Sequence, residues 1–233
     1  MTPRKRASAL PGANEKARAV RGMFDAIAGR YDLVNRVMTF GLDAGWRKRA
    51  VQAMGLPPRA RVYDLACGTG DFCRELSDAG HRPVGFDFAI EMLRAARTSA
   101  PLVQADVLRL PARDASANGV TCGFALRNVV DLPELFAECA RVLVPAGRIA
   151  LLEVGEPSGR FAKAGHALYF KRIVPVIGGV LSDRQAYRYL PESVAYLPPP
   201  HELLEMIRGA GFAHVVRVPL TLGAAQLIVG TRR

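Results

Sequence analysis

Residues 64–71, Asp-Leu-Ala-Cys-Gly-Thr-Gly-Asp, carry the densest chemistry in this 233-residue chain. They follow a short apolar run, Arg61-Val62-Tyr63, and open a helical stretch from Phe72 to Ala79. Gly68 and Gly70 allow a sharp turn and let a ligand approach the backbone without Cβ atoms in the way. The amides that follow would face that ligand from a helix N-terminus. Asp87 ends the next apolar run, Pro83-Val84-Gly85-Phe86, where a carboxylate can bind two ribose hydroxyls. Strand, glycine loop, helix, strand and acid in this order predict a nucleoside cofactor at the C-terminal edge of a parallel sheet.

Charge selects among nucleoside cofactors. A dinucleotide loop needs a third small residue three positions after the second glycine, and that position is Cys73. Asp64 and Asp71 flank the loop; carboxylates disfavour a pyrophosphate and favour a sulfonium cation with an amino-acid tail. The expected cofactor is therefore S-adenosylmethionine. NAD and an unliganded glycine turn are the alternatives.

The elements needed to position this loop are legible along the chain. Short apolar runs at 61–66, 82–86, 101–104, 119–125 and 147–154 alternate with helical stretches at 71–79, 89–98 and 131–142. That alternation predicts a parallel sheet with helices on both faces. A helix at 201–209 and strands near 213–218 and 224–231 follow, the last two as an antiparallel hairpin at the sheet edge. Before the first strand, 13–58 reads as two or three helices, with Asn14 as a candidate cap and Leu56-Pro57-Pro58 as the break. Residues 1–12 read as a flexible basic arm and 158–200 as an inserted helical cover, so 13–233 is expected to be a single domain.

Composition excludes several classes. Half of the residues are hydrophobic, enough for a full core, yet no apolar run reaches the ~18–20 residues that span a bilayer. The charged N-terminus has no apolar segment of a secretory signal. Cys67, Cys73, Cys122 and Cys139 show no paired spacing and read as reduced, buried thiols of a cytoplasmic protein, with no metal site. The net charge of +11 divides into +8 over 1–60, −3 over 61–157 and +6 over 158–233. Basic flanks of this kind attract nucleic acid or an anionic membrane surface. Phe124-Ala125-Leu126-Arg127 at the end of the fourth strand lacks the Asn/Asp-Pro-Pro-aromatic pattern of many base methyltransferases, which disfavours nucleic acid.

Five stretches together resemble the UbiE/MenG/Coq5 family of quinone-biosynthesis C-methyltransferases. They are Met23-Phe24-Asp25 through Tyr31-Asp32-Leu33-Val34-Asn35 with Trp46 beyond, the loop at 64–71, Phe124-Ala125-Leu126-Arg127-Asn128-Val129, Arg141-Val142-Leu143 through Leu152-Glu153, and Ala186 to Ser193. The resemblance implies a class I SAM-dependent methyltransferase: a doubly wound, Rossmann-like α/β fold with a seven-stranded sheet, N-terminal helices and a helical cover. It implies methylation of a prenylated quinol ring in menaquinone or ubiquinone biosynthesis; another small aromatic or natural product is the alternative substrate. The implied cofactor-binding residues are Asp64, Gly68, Thr69, Gly70, Asp87, Phe88, Asp106, Val107 and Gly123. The implied catalytic residues are Arg127, Asn128 and Tyr31. Arg127 would stabilise a phenolate, unless it is structural and pairs with Asp106 or Asp131. Water, or His166 in the cover, would accept the proton. Where the family carries Lys-Pro-Gly-Gly, a serine and Glu-Phe-Ser, this chain has Val144-Pro145-Ala146-Gly147, Gly123 and Glu153-Val154-Gly155. A lipid substrate implies peripheral contact with the inner face of a membrane, through Phe161 to Leu181 with Lys163, Lys171 and Arg172. The oligomeric state stays open.

Overall fold

A computed structural model describes residues 13–155, 157, 193 and 196–233. The expected arm at 1–12 lies outside the described residues. So does most of the expected cover, with His166, Lys163, Lys171 and Arg172.

Three helices come first: α1 (Ala13–Ile27), α2 (Tyr31–Met38) and α3 (Leu42–Met54). Asn14 lies inside α1 rather than ahead of it, so it is not the cap. Strands and helices then alternate as β1 (Arg61–Leu65), α4 (Asp71–Asp78), β2 (Arg82–Asp87), α5 (Ile90–Arg94), β3 (Leu102–Gln104), β4 (Ala117–Gly123), α6 (Leu132–Val142) and β5 (Leu143–Val154). Helix α7 (Pro200–Gly209), β6 (Phe212–Leu220) and β7 (Ala225–Arg232) close the fold.

The seven strands pair in the order β3-β2-β1-β4-β5-β7-β6. Strands β1 to β5 are mutually parallel, and β7 runs antiparallel to both β5 and β6. The chain leaves β1 toward β2 and β3, then returns to its other side with β4. That reversal opens a crevice beyond the C-terminal ends of β1 and β4, where ligands of such sheets bind. The edge strand β6 tolerates Pro219, which a central strand would not.

Both faces of the sheet are covered. On one, α6 and α7 pack Leu135, Phe136, Leu203 and Ile207 onto β1, β4 and β5. On the other, α3 and α4 pack Val51, Met54, Phe72 and Leu76 onto Val62, Ala150 and Leu152. Burial on both faces explains why the central strands read as unbroken apolar runs rather than alternating ones.

Three elements differ from expectation for local reasons. Helix α5 ends at Arg94 instead of 98 because the Arg97 amide donates to the Thr69 carbonyl at 3.0 Å, tying the chain to the glycine loop. Strand β4 stops at Gly123 instead of 125 because Phe124 turns into the left-handed region with φ +57°. Pro145-Ala146-Gly147 is a bulge within β5 rather than a turn ahead of it: Leu143 pairs with Ala117, and Arg148 with Gly119. Arg141 of the family-like Arg141-Val142-Leu143 stretch is an anchor. Its fork holds Glu138 at 2.7 Å and Asp114 at 2.6 Å, which braces the turn at 110–114.

Phe136 is fully buried at the centre of the α6 face. Phe136→Ala is expected to cost about 3–5 kcal/mol, read as a lower urea midpoint with an unchanged denaturant slope.

Candidate active site

The glycine loop joins β1 to α4 through a run of left-handed residues: Ala66 at φ +51°, Gly68 at +54° and Gly70 at +85°. Backbone amides hold its shape. Cys67 donates to the Phe86 carbonyl at 3.0 Å, and Gly70 to the Cys67 carbonyl at 2.9 Å. A Cβ at Gly70 would lie 2.6 Å from the Thr98 methyl, and one at Gly68 would lie 3.1 Å from the Met92 terminus. Both glycines thus serve the turn and the packing behind it; room for a ligand is only part of their reason.

Asp87, at the end of β2, is 8% exposed. One oxygen accepts from the Gly68 amide at 2.7 Å and the other from the Ala89 amide at 2.8 Å. Burial raises its pKa, and those amides pull it back. The carboxylate therefore locks the loop to β2, and each oxygen keeps a lone pair for a ligand.

Asp64, at 1% exposure, accepts from the Thr121 hydroxyl at 2.8 Å and the Cys73 thiol at 3.5 Å. Burial pushes its pKa up to about 7, against the Thr121 and Cys73 bonds; Asp87 pushes it up further and Arg47 pulls it down. Asp71 departs from the expectation of a bare charge beside the loop. Arg47 meets it at 3.1 Å and Arg74 pairs with it on the other side, so its charge is already balanced. The four cysteines are buried. The thiol of Cys67 is driven far up, first by its bond with Cys73 and then by burial.

The N-terminal helices clamp this loop through acids that local sequence patterns do not reveal. Asp25 of α1 accepts from the Glu91 amide at 3.0 Å and caps α5. Asp32 of α2 accepts from the Thr69 hydroxyl. Asp43 of α3 is buried, which raises its pKa; the Thr39 hydroxyl at 2.6 Å and Arg47 at 2.5 Å hold it below the usual carboxylate range. Asp25 and Asp32 stand in the first family-like stretch with no role assigned there, and the contacts of Asp43 and Arg47 are not foreseen from the sequence. Their partners lie up to 66 residues away.

Two connected spaces result. One is a cleft of about 860 Å³ whose lining includes Phe24, Tyr31, Asp87, Phe88, Asp106, Val107, Gly123 and Asn128. Arg21 stacks over the Phe88 ring at 5.0 Å, and one Asp106 oxygen accepts from the Leu108 amide at 3.0 Å. The other is a polar chamber of about 400 Å³ among Asn35, Arg47, Asp64, Thr69 and Asp71. Tyr31, Ala66, Gly68, Gly123 and Phe124 line both and mark their junction. Burial raises the Tyr31 pKa, opposed by Asn35 and then Arg127, so its hydroxyl stays protonated. Gly123 is a glycine for space: a Cβ there would lie 2.8 Å from the Phe72 ring. Gly155, in the stretch that departs from the family pattern, packs against the backbone of Gly223 and Ala225.

Arg127 is where the geometry departs most from expectation. It is 5% exposed. Its partner is neither Asp106 nor Asp131, but the fully buried Glu153 at the end of β5. It also donates to the Ser193 hydroxyl at 3.1 Å and the Phe124 carbonyl at 2.7 Å. Asp131 instead caps α6 by accepting from the Glu134 amide at 2.9 Å. Arg127 thus braces the turn that carries Asn128 into the cleft.

Breaking a buried pair strands a charge. Arg127→Ala and Glu153→Ala are each expected to cost about 3–5 kcal/mol, with the double variant costing less than their sum in a denaturation cycle. Asp64 sets a pH signature. Its folded pKa lies above the ordinary ~3.9, so its ionisation disfavours the fold as pH rises from about 4 through 7. Asp64→Asn should therefore gain stability relative to the unsubstituted chain across that window, by up to about 4 kcal/mol at 1.36 per pKa unit. Parallel slopes for the two proteins in melting curves would contradict this.

The chain is similar to known proteins over most of its length. Over 94% of its length the chain is 44% identical to a demethylmenaquinone methyltransferase of Deinococcus radiodurans, covering 95% of that protein. It is 43% identical over 90% of its length to one from Thermus thermophilus, covering all of it. Against a ubiquinone/menaquinone biosynthesis C-methyltransferase UbiE of Geotalea daltonii the identity is 37%, with 94% and 98% covered. The fold matches a solved Aquifex aeolicus SAM-dependent methyltransferase with TM-score 0.58 at 12% identity, over 80% of this chain and 89% of that one. It also matches Haemonchus contortus phosphoethanolamine N-methyltransferase 2 in complex with S-adenosyl-L-methionine, with TM-score 0.61 at 12% identity, over 81% and 52%. The family model of the ubiE/COQ5 methyltransferases spans residues 12–232. The chain is thus a methyltransferase that uses S-adenosylmethionine and belongs to the ubiE/COQ5 methyltransferase family.

Proposed function

We propose that this enzyme methylates a ring carbon of a prenylated quinol, the demethylated precursor of menaquinone, at the cytoplasmic face of a membrane. The observation that carries the reading is the two-part site: a small polar chamber and a large, mainly apolar cleft that share Tyr31, Gly68, Gly123 and Phe124. The donor set fits S-adenosylmethionine. The Asp87 lone pairs suit two neighbouring ribose hydroxyls, Phe88, Asp106 and Val107 surround the place of the base, and the polar chamber suits a charged amino-acid tail. When bound, the cofactor supplies an electrophilic methyl on a sulfonium.

The chain's own residues do the rest. A quinol carbon is nucleophilic once a neighbouring hydroxyl, near pKa ~10, gives its proton to water; the ring carbon, once it carries the methyl group, sheds its own proton to water and the ring regains its aromatic form. Tyr31 stays a phenol and so acts as a donor to the quinol oxygen rather than as the base. Asn128, which also lines the cleft on the turn that Arg127 braces, orients the same oxygen. Arg127 in this reading is a positioning residue. The apolar cleft walls keep the ring ~3–3.5 Å from the reacting carbon. Relatives named for demethylmenaquinone favour the menaquinone precursor over other quinols.

Labelled methyl transfer to a panel of demethylated quinols tests the reading; transfer to none of them would end it. Asp87→Ala is expected to weaken cofactor binding about 10–150-fold, since hydrogen bonds to charged groups are worth about 1.5–3 kcal/mol; calorimetry reads this directly. Asn128→Ala should lower turnover about a hundredfold while leaving cofactor affinity near its original value.

A further inference from the structure

We propose that the rim formed by α2, the start of α3 and the turn at 221–223 docks on a bilayer surface carrying anionic lipid. The proposal rests on the reading of the substrate as a lipid-dissolved quinol, and it names the surface through which the cleft would meet that lipid. No helix among the described residues is long and apolar enough to cross a membrane, and the contact proposed is peripheral.

Large apolar side chains concentrate on this rim. Leu33, Val37 and Phe40 follow one another at helical spacing, 55%, 37% and 75% exposed, and Leu42 at 44% continues the line. Leu222 is 81% exposed. Phe40 and Leu222 sit on left-handed backbone, φ +52° and +54°, which costs a side-chain-bearing residue energy. An exposed apolar side chain on such backbone gains from burial at an interface.

The segments belong together. The Trp46 indole donates to the Thr221 hydroxyl at 2.8 Å, which ties the Leu222 turn to α3 one helical turn after Leu42. Trp46 also packs on Phe124 with ring centres 6.2 Å apart, at the cleft junction. Tyr31, the first residue of α2, lines the cleft. The rim therefore borders the opening through which a long apolar substrate would enter.

Charge decides the kind of surface. Residues 30–49 hold five basic and two acidic side chains. Both acids turn inward, Asp32 to Thr69 and Asp43 to Thr39 and Arg47. Arg36, Lys48 and Arg49 are exposed. A positive rim around apolar tips is complementary to anionic headgroups over acyl chains.

Co-sedimentation of the full chain with phosphatidylcholine vesicles, with and without phosphatidylglycerol, tests this. Binding is expected with phosphatidylglycerol at low salt, and it should weaken as salt rises. The double variant Leu33→Asp, Leu222→Asp should partition about tenfold less or lower, with methylation of a water-soluble, short-chain quinol unchanged. Leu222→Gly relieves the left-handed backbone, so its loss of binding cannot come from misfolding. Arg36→Glu with Arg49→Glu should remove the salt-sensitive part. Three results would overturn the proposal: no binding by the unsubstituted chain, equal binding by the Leu33/Leu222 variant, or self-association that the same substitutions abolish, which would assign the rim to a second copy. Failure of the unsubstituted chain to methylate the short-chain quinol would instead defeat the catalytic reading and leave the vesicle result standing.

Discussion

The structure depends on one carboxylate bridging two strands. Asp87 accepts the Gly68 amide across the sheet and the Ala89 amide in its own turn. Left-handed backbone at Ala66, Gly68 and Gly70 lies outside the strand ladder, and beyond its own backbone bonds it is held by neighbouring elements. Asp87 supplies that hold from β2, Arg97 and Thr98 supply it from beyond α5, and Asp32 supplies it from α2. The same burial that makes Asp87 a good anchor shapes it for a ligand, because a desolvated carboxylate with spare lone pairs gains most from new hydroxyl donors.

The N-terminal helices are part of the site rather than an addition to it. Asp25, Asp32 and Arg47 each reach the loop or the helices beside it, and Tyr31 stands where chamber and cleft meet. Arg47 also changes the electrostatics. It shares Asp43 and Asp71, so the chamber holds balanced charge beside Asp64, whose pKa burial raises. Neutral pairs in a buried space keep their geometry when a charged ligand arrives, which is the condition for a preorganised site.

Much of this was legible in the sequence, and the boundary has a physical cause. The succession of strands and helices and the glycine loop follow from local signals: apolar runs buried on both faces and glycines at the turn. Asp64, Gly68, Thr69, Asp87, Asp106 and Gly123, expected to bind cofactor, line the two adjoining spaces because their positions at strand ends are fixed by the fold class. What escaped were contacts between distant segments. Glu153 as the partner of Arg127, and Arg47 as the partner of Asp71, depend on how β5 and α3 sit on the sheet, and no spacing rule encodes that. The early end of α5 had the same origin, since one long-range amide overrode helical propensity.

Ala66 and Phe124 occupy left-handed backbone at the ends of the two central strands, where chamber meets cleft. That conformation admits glycine freely, asparagine and aspartate at small cost, and β-branched side chains hardly at all. Neutral drift at these two positions is therefore channelled toward small or polar residues, and valine or isoleucine is barred however well its volume would suit the walls. Diversification toward new substrates must run through the other wall positions, such as Phe24, Asn128 and Val130, where ordinary backbone leaves side-chain choice open.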